Sequence, residues 1–181
     1  MRRFPWWILA LGVGALLATV GGGAVLTLRL VKYFEGLSLT VYQDEAGLWT
    51  IGWGHLVKPG DPYHPYGPVT EITQEQADAL LAQDMASARS IVAQFVTVPL
   101  TGNQRAALES LVFNVGPGNP GVRDGIVWLK SGQPSTLLRK LNAGDYAGAA
   151  TEFGRWNMAG GQVSNGLIAR RATERQTFEV A

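Results

Sequence analysis

Between Leu30 and His55 the chain changes period, and it does so around three groups capable of acid–base chemistry. Leu30, Val31 and Phe34 recur at helical spacing, and Gly36 follows as a C-cap. Leu39, Val41 and Tyr42 lead into the turn Asp44-Glu45-Ala46-Gly47, and Leu48 to Ile51 lead out of it. The spacing predicts a helix ending at Glu35 and a β-hairpin just beyond it. Asp44 then falls in the turn and Thr50 on the return strand. A helix that hands over directly to a hairpin, followed by helical patterns for the rest of the chain, specifies the α+β class.

The placement of these groups has chemical content. A carboxylate at a helix C-terminus faces the negative end of the macrodipole and is disfavoured by roughly 0.3–1 kcal/mol. Glu35 therefore does nothing for its helix, and its setting suits a group that must carry a proton. Asp44, in a polar turn, suits a carboxylate. Two carboxyl groups in such different settings, facing one cleft, meet the requirement for glycoside hydrolysis. Thr50 is placed to hold a water beside Asp44. Taken singly, each residue has an ordinary reading as a solvated helix end, turn chemistry or β-propensity. Their joint spacing, with Trp49 and Trp53 close by, distinguishes them. His55 reads as structural or substrate-flanking. With two His and no Cys, no metal site is expected.

The stretch resembles the active-site hairpin of the phage-type lysozymes, glycoside hydrolase family 24. Glu35-Gly36 is followed by Asp44 and then by Thr50-Ile51-Gly52-Trp53-Gly54-His55, in the order and spacing of the family motif. Further matches follow in the family's order: Leu100-Thr101-Gly102-Asn103-Gln104, Phe113-Asn114-Val115-Gly116, Ser135 to Gly144, Arg155-Trp156-Asn157 and Gly166 to Arg171. The resemblance covers roughly residues 29–178. It implies a lysozyme-like fold, with a small β-hairpin lobe, a larger helical lobe and a cleft between them, preceded by one N-terminal apolar helix. It also implies an endolysin that cuts the β-1,4 bond between N-acetylmuramic acid and N-acetylglucosamine in peptidoglycan, causing host lysis and phage release. Glu35 would protonate the leaving oxygen, and Asp44 with Thr50 would position the water. His55, Phe113 and Asn114 would touch the glycan. No cofactor is implied. Two alternatives stand beside this reading. A lytic transglycosylase attacks the same bond but needs neither Asp44 nor Thr50. A membrane-tethered, non-catalytic glycan-binding module needs none of the three.

Charge narrows the partners further. A net charge of +1, with basic and acidic residues mixed, gives no nucleic-acid signal. The hydropathy has a local source. Phe4 to Leu28 runs 25 residues without a charge, between Arg2-Arg3 and Arg29. As a helix it would span roughly 37 Å, enough to cross a hydrocarbon layer of ~30 Å. Trp6 and Trp7 sit near one end, as interfacial aromatics do, and the leading arginines favour a cytoplasmic N-terminus. Nine of the 25 residues are Gly or Ala, which makes insertion marginal. A cleaved signal peptide, with small residues at Gly22-Gly23-Ala24, and a permanent anchor are two readings of this run. The third, which the composition favours, is a signal-arrest-release segment over residues 1–28, ahead of a catalytic domain over 29–181. Some phage endolysins resembling this chain carry such a segment. It would hold the enzyme in the host inner membrane facing the periplasm, and release it when a holin or pinholin depolarises the membrane. Ala10, Gly14, Ala18 and Gly22 also make a small-residue stripe of the kind that packs membrane helices closely.

Residues 56–72 hold four prolines and two glycines and read as a loop. Thr73 to Gln76 is a capping box for a long helix with Ala77, Leu80, Leu81, Ala88, Ile91, Val92 and Phe95 on one face, a bridge between the lobes. Thr101 with Gln104 caps a second, Ala- and Leu-rich core helix that ends near Gly116. Residues 117–134 read as a turn-rich excursion around Ile126 to Leu129. Three short helices are expected after it: Ser135 to Asn142, Asp145 to Trp156 and Gly166 to Phe178.

Overall fold

The structure is a computed structural model and describes residues 23–44, 47–64 and 67–180. The first 19 residues of the uncharged run, 4–22, lie outside the described residues. Its last six do not. Helix α1 (Gly23–Glu35) begins within the run and continues through Leu28 without a break, so the expected boundary between residues 28 and 29 falls inside a helix. Gly36, at φ +68°, ends it in the left-handed conformation that favours glycine.

Beyond that turn come β1 (Ser38–Gln43), β2 (Trp49–Gly52) and β3 (His55–Leu56). They form an antiparallel sheet in that order, with Tyr42 opposite Thr50 and Thr50 opposite Leu56. The expected hairpin is therefore two strands of three. The loop after it gives way to α2 (Gln74–Phe95), whose predicted capping box forms in full: Thr73 Oγ1 accepts from Gln76 N, and Gln76 Oε1 accepts from Thr73 N. Thr101 and Gln104 repeat the arrangement at the start of α3 (Gly102–Val115).

Helix α2 makes one molecule of two cores. Its Ala77 and Leu80 pack with Ile51, Val57 and Ile72 under the sheet. Leu81, Met85, Ala88 and Val92, further along the same face, pack with Leu108 and Leu111 of α3 in the larger helical core. At ~1.5 Å rise per residue, α2 reaches from one lobe well into the other. The two-lobed α+β architecture expected from the sequence is the one observed.

Residues 117–134 form turns and bridges rather than helix or strand, and bury Ile126 and Val127. After them come α4 (Thr136–Asn142), α5 (Tyr146–Thr151), a 3₁₀ turn (Phe153–Arg155) and α6 (Asn165–Glu179). The middle predicted helix, 145–156, is thus an α-helix that stops at Thr151 and tightens into 3₁₀ geometry, where Phe153 turns fully into the core. A small hairpin, β4 (Met158–Ala159) and β5 (Gln162–Val163), was not legible in the sequence. Helix α3 is enclosed by α1, α2 and α6. Among the described residues no helix is long and apolar enough to cross a membrane.

Candidate active site

Glu35 is the last residue of α1, and its side chain is one-fifth exposed. Arg170 of α6 donates from Nη1 to Glu35 Oε1 at 2.6 Å, with its guanidinium over the Phe34 ring at 5.3 Å. On the other side, a Cβ built on Gly54 would lie 2.8 Å from Glu35 Oε2, and Gly54 has φ +86°. Only glycine leaves that oxygen room. One carboxyl oxygen is thus held by an arginine, while the other faces the turn between β2 and β3.

Arg170 is itself supported. Glu174, fully buried, accepts at Oε1 from Arg170 Nε at 3.1 Å, from Ser110 Oγ at 2.7 Å and from Arg171 Nη2 at 3.1 Å. Its Oε2 pairs with Arg171 Nε at 2.8 Å. Arg171 also donates from Nη2 to Asn114 Oδ1 at 3.0 Å. Burial pushes the Arg171 guanidinium down to about 10, against the pull of Glu174, so it stays charged at neutral pH. Helix α6 thereby fastens Glu35 from one side and Asn114 from the other. None of Ser110, Arg170, Arg171 and Glu174 was singled out from the sequence for the site. Arg170 and Arg171 lie in the Gly166 to Arg171 match, which gave them no role, and for Ser110 and Glu174 the signal was a polar residue on an otherwise core-facing stripe of α3 or α6.

Asp44 closes β1. Its backbone exchanges bonds with Leu48 and Gly47, and its Oδ1 accepts from Leu48 N at 2.9 Å. Thr50 is nine-tenths buried, and its Oγ1 donates to the same residue's carbonyl, Leu48 O, at 3.2 Å. Leu48 therefore ties Asp44 and Thr50 together. Tyr42, opposite Thr50, feels both carboxylates: burial first, then Glu35 and Asp44, raises the pKa of its hydroxyl.

Glu35 and Asp44 line one cleft of about 630 Å³, together with His55, Phe113, Asn114 and Asp84. Five of the six residues expected at the site thus share its walls. Thr50 is not among the lining residues, but it pairs across the sheet with Leu56, which is. Phe113 is half-buried and also packs against the helical core. His55 Nδ1 meets Asp84 Oδ2 at 2.8 Å, and that hydrogen bond is the largest cause of a raised histidine pKa. This contact ties β3 to α2.

A stability profile follows from that shift. Because the folded pKa of His55 is raised above the unfolded value, the pair's contribution is fully present below about pH 6.5 and is lost as pH rises through the folded value. His55→Asn should cost about 1.5–3 kcal/mol in urea denaturation at pH 5.5 and clearly less at pH 9, where only the neutral hydrogen bond and the packing against Tyr63 remain. An equal cost at both pH values would show that the ion pair contributes no stability.

Two lobes, a cleft between them and a carboxyl on each of two walls define a lysozyme-like glycan-cleaving class of site. The chain belongs to the phage lysozyme family, whose pattern matches residues 32–174. It is 42% identical over 160 residues to an endolysin of Acyrthosiphon pisum secondary endosymbiont phage 1, covering 85% of this chain and 95% of that protein. It is 34% identical over 172 residues to the SAR-endolysin of Enterobacteria phage P21, covering 90% and 92%. Among solved structures it is similar to the endolysin from Escherichia coli O157:H7 phage FAHEc1. There the TM-score is 0.69 and the identity 33%, over 85% of this chain and 90% of that one.

Proposed function

We propose that this protein is an endolysin, a muramidase that hydrolyses the β-1,4 bond between N-acetylmuramic acid and N-acetylglucosamine in peptidoglycan. The observation that carries this is the shared cleft of Glu35 and Asp44 within a phage-lysozyme fold. Glu35 Oε1 is engaged by Arg170, so Oε2 carries the proton given to the leaving oxygen. Asp44 takes a proton from the attacking water. Thr50, having donated its own proton to Leu48, accepts from that water with a lone pair. His55, Phe113 and Asn114 contact the sugars on either side.

Water attack opposite the leaving group inverts the anomeric centre. NMR of the fresh product should therefore show reducing-end muramic acid in the α configuration. A retained β anomer would mean a covalent intermediate, and an anhydro sugar would mean a lytic transglycosylase.

Residues 4–28 are read as a reversible membrane segment, supported by the relatives named SAR-endolysins and by the marginal hydrophobicity of the run. The enzyme waits in the inner membrane facing the periplasm and leaves it when a holin or pinholin collapses the potential. Gly21→Leu with Gly22→Leu should add roughly 1–2 kcal/mol of membrane preference. Gly23 is best left alone, because a Cβ there would meet Gly102 O at 2.9 Å. After an uncoupler, the wild type should become soluble at full length while the variant stays in the membrane fraction. Wild-type protein shortened near Ala24 before any depolarisation would instead indicate a cleaved signal peptide.

A further inference from the structure

Glu109 has no part in the chemistry above, yet it is 2% exposed in the middle of α3. Its Oε2 lies 3.0 Å from Thr27 Oγ1 of α1 and 3.6 Å from Arg89 Nε of α2. Thr27 is also fully buried, and its Oγ1 lies 2.9 Å from Gly23 O, one turn earlier. The rest of this contact is apolar and small. Leu26, Leu30 and Ala106 pack together, and Gly23 crosses so close to Gly102 that a Cβ would meet the Gly102 carbonyl.

We propose that Glu109 is a positioning residue: through Thr27 it fastens the first turn of α1 to α3 and sets the register in which that helix delivers Glu35 to the cleft. Apolar contacts alone tolerate a slip along a helix. A buried carboxyl does not, because a slip leaves it without a partner. From Thr27 to Glu35 the helix is unbroken, about 12 Å long, so register set at one end arrives at the other. The link to Glu35 rests on the muramidase reading; the contact itself does not.

Thr27 Oγ1 donates to Glu109 Oε2, and the groups facing that carboxyl are Thr27 from α1, Arg89 from α2 and Arg105 from its own helix. Burial raises the Glu109 pKa, and those three oppose the rise, so each of them favours the carboxylate as an acceptor.

The test uses the full-length released protein, with amide-exchange protection of residues 26–30 measured at neutral pH beside kcat and KM on peptidoglycan. Thr27→Val should lower protection and kcat by about tenfold each, with KM within twofold. Thr27→Ser should restore both. Glu109→Gln, whose amide oxygen can still accept from Thr27, should keep protection and kcat near wild type, whereas Glu109→Leu, which cannot accept, should lower both as Thr27→Val does. Wild-type protection and kcat in Thr27→Val would overturn the proposal. So would wild-type protection and kcat in Glu109→Leu, which decides the matter even if Thr27→Val does not fold. A wild type without muramidase activity would overturn the functional reading instead, while the protection factors still judge the contact.

Discussion

Glu35→Gln should lose at least ~10²-fold of kcat on peptidoglycan, since a positioned proton donor typically contributes ~10²–10⁴. The variant should also stay folded, because its amide oxygen can still accept from Arg170 and its shape still fits against Gly54. Clearance of cell walls, followed by turbidity beside a thermal melt, reads both outcomes. A folded Glu35→Gln protein that clears walls at the wild-type rate would end the mechanism. A variant that is inactive because it unfolds would point to Arg170 needing a full negative charge opposite it.

The second large effect is expected at Glu174, which no glycan touches. It is the buried anion between Arg170 and Arg171 and also accepts from Ser110. Breaking a buried pair by removing one charge typically costs ~3–5 kcal/mol, because the partner is left uncompensated. Glu174→Gln should therefore lower Tm by on the order of 10 °C. Activity should fall as well, since Arg170 loses the group that orients it toward Glu35. A melt and a rate within error of wild type would show that Arg170 is held by other contacts.

These two residues mark what the sequence makes legible and what it does not. Glu35, Asp44 and Thr50 lie within sixteen residues of one another, on a helix end and a hairpin whose geometry is local. Their spacing alone brings them to one place. The capping boxes at Thr73 and Thr101 are legible for the same reason. Arg170 meets Glu35 across 135 residues, and Ser110 meets Glu174 across 64, so their partnership depends on how α1, α3 and α6 pack. The early stop of α5 at Thr151 depends on Phe153 finding a place in the core. A propensity reading of 145–156 contains no trace of that neighbour. Glu109 is the sharpest case. It sits between core residues on a helix that reads as apolar, and its partner Thr27 lies in a stretch that reads as membrane.

The close crossing of Gly23 and Gly102 has a practical consequence when taken with the other end of the chain. Asn103, next along α3, donates from Nδ2 to Val180 O at 3.2 Å. Residues 23 and 180 therefore lie beside the same helical turn. In a chain begun at residue 23, a short linker could join the two into a closed ring. A bulky affinity tag placed after residue 180 would crowd the seat of α1, so labels for release assays belong on the distant β4–β5 hairpin.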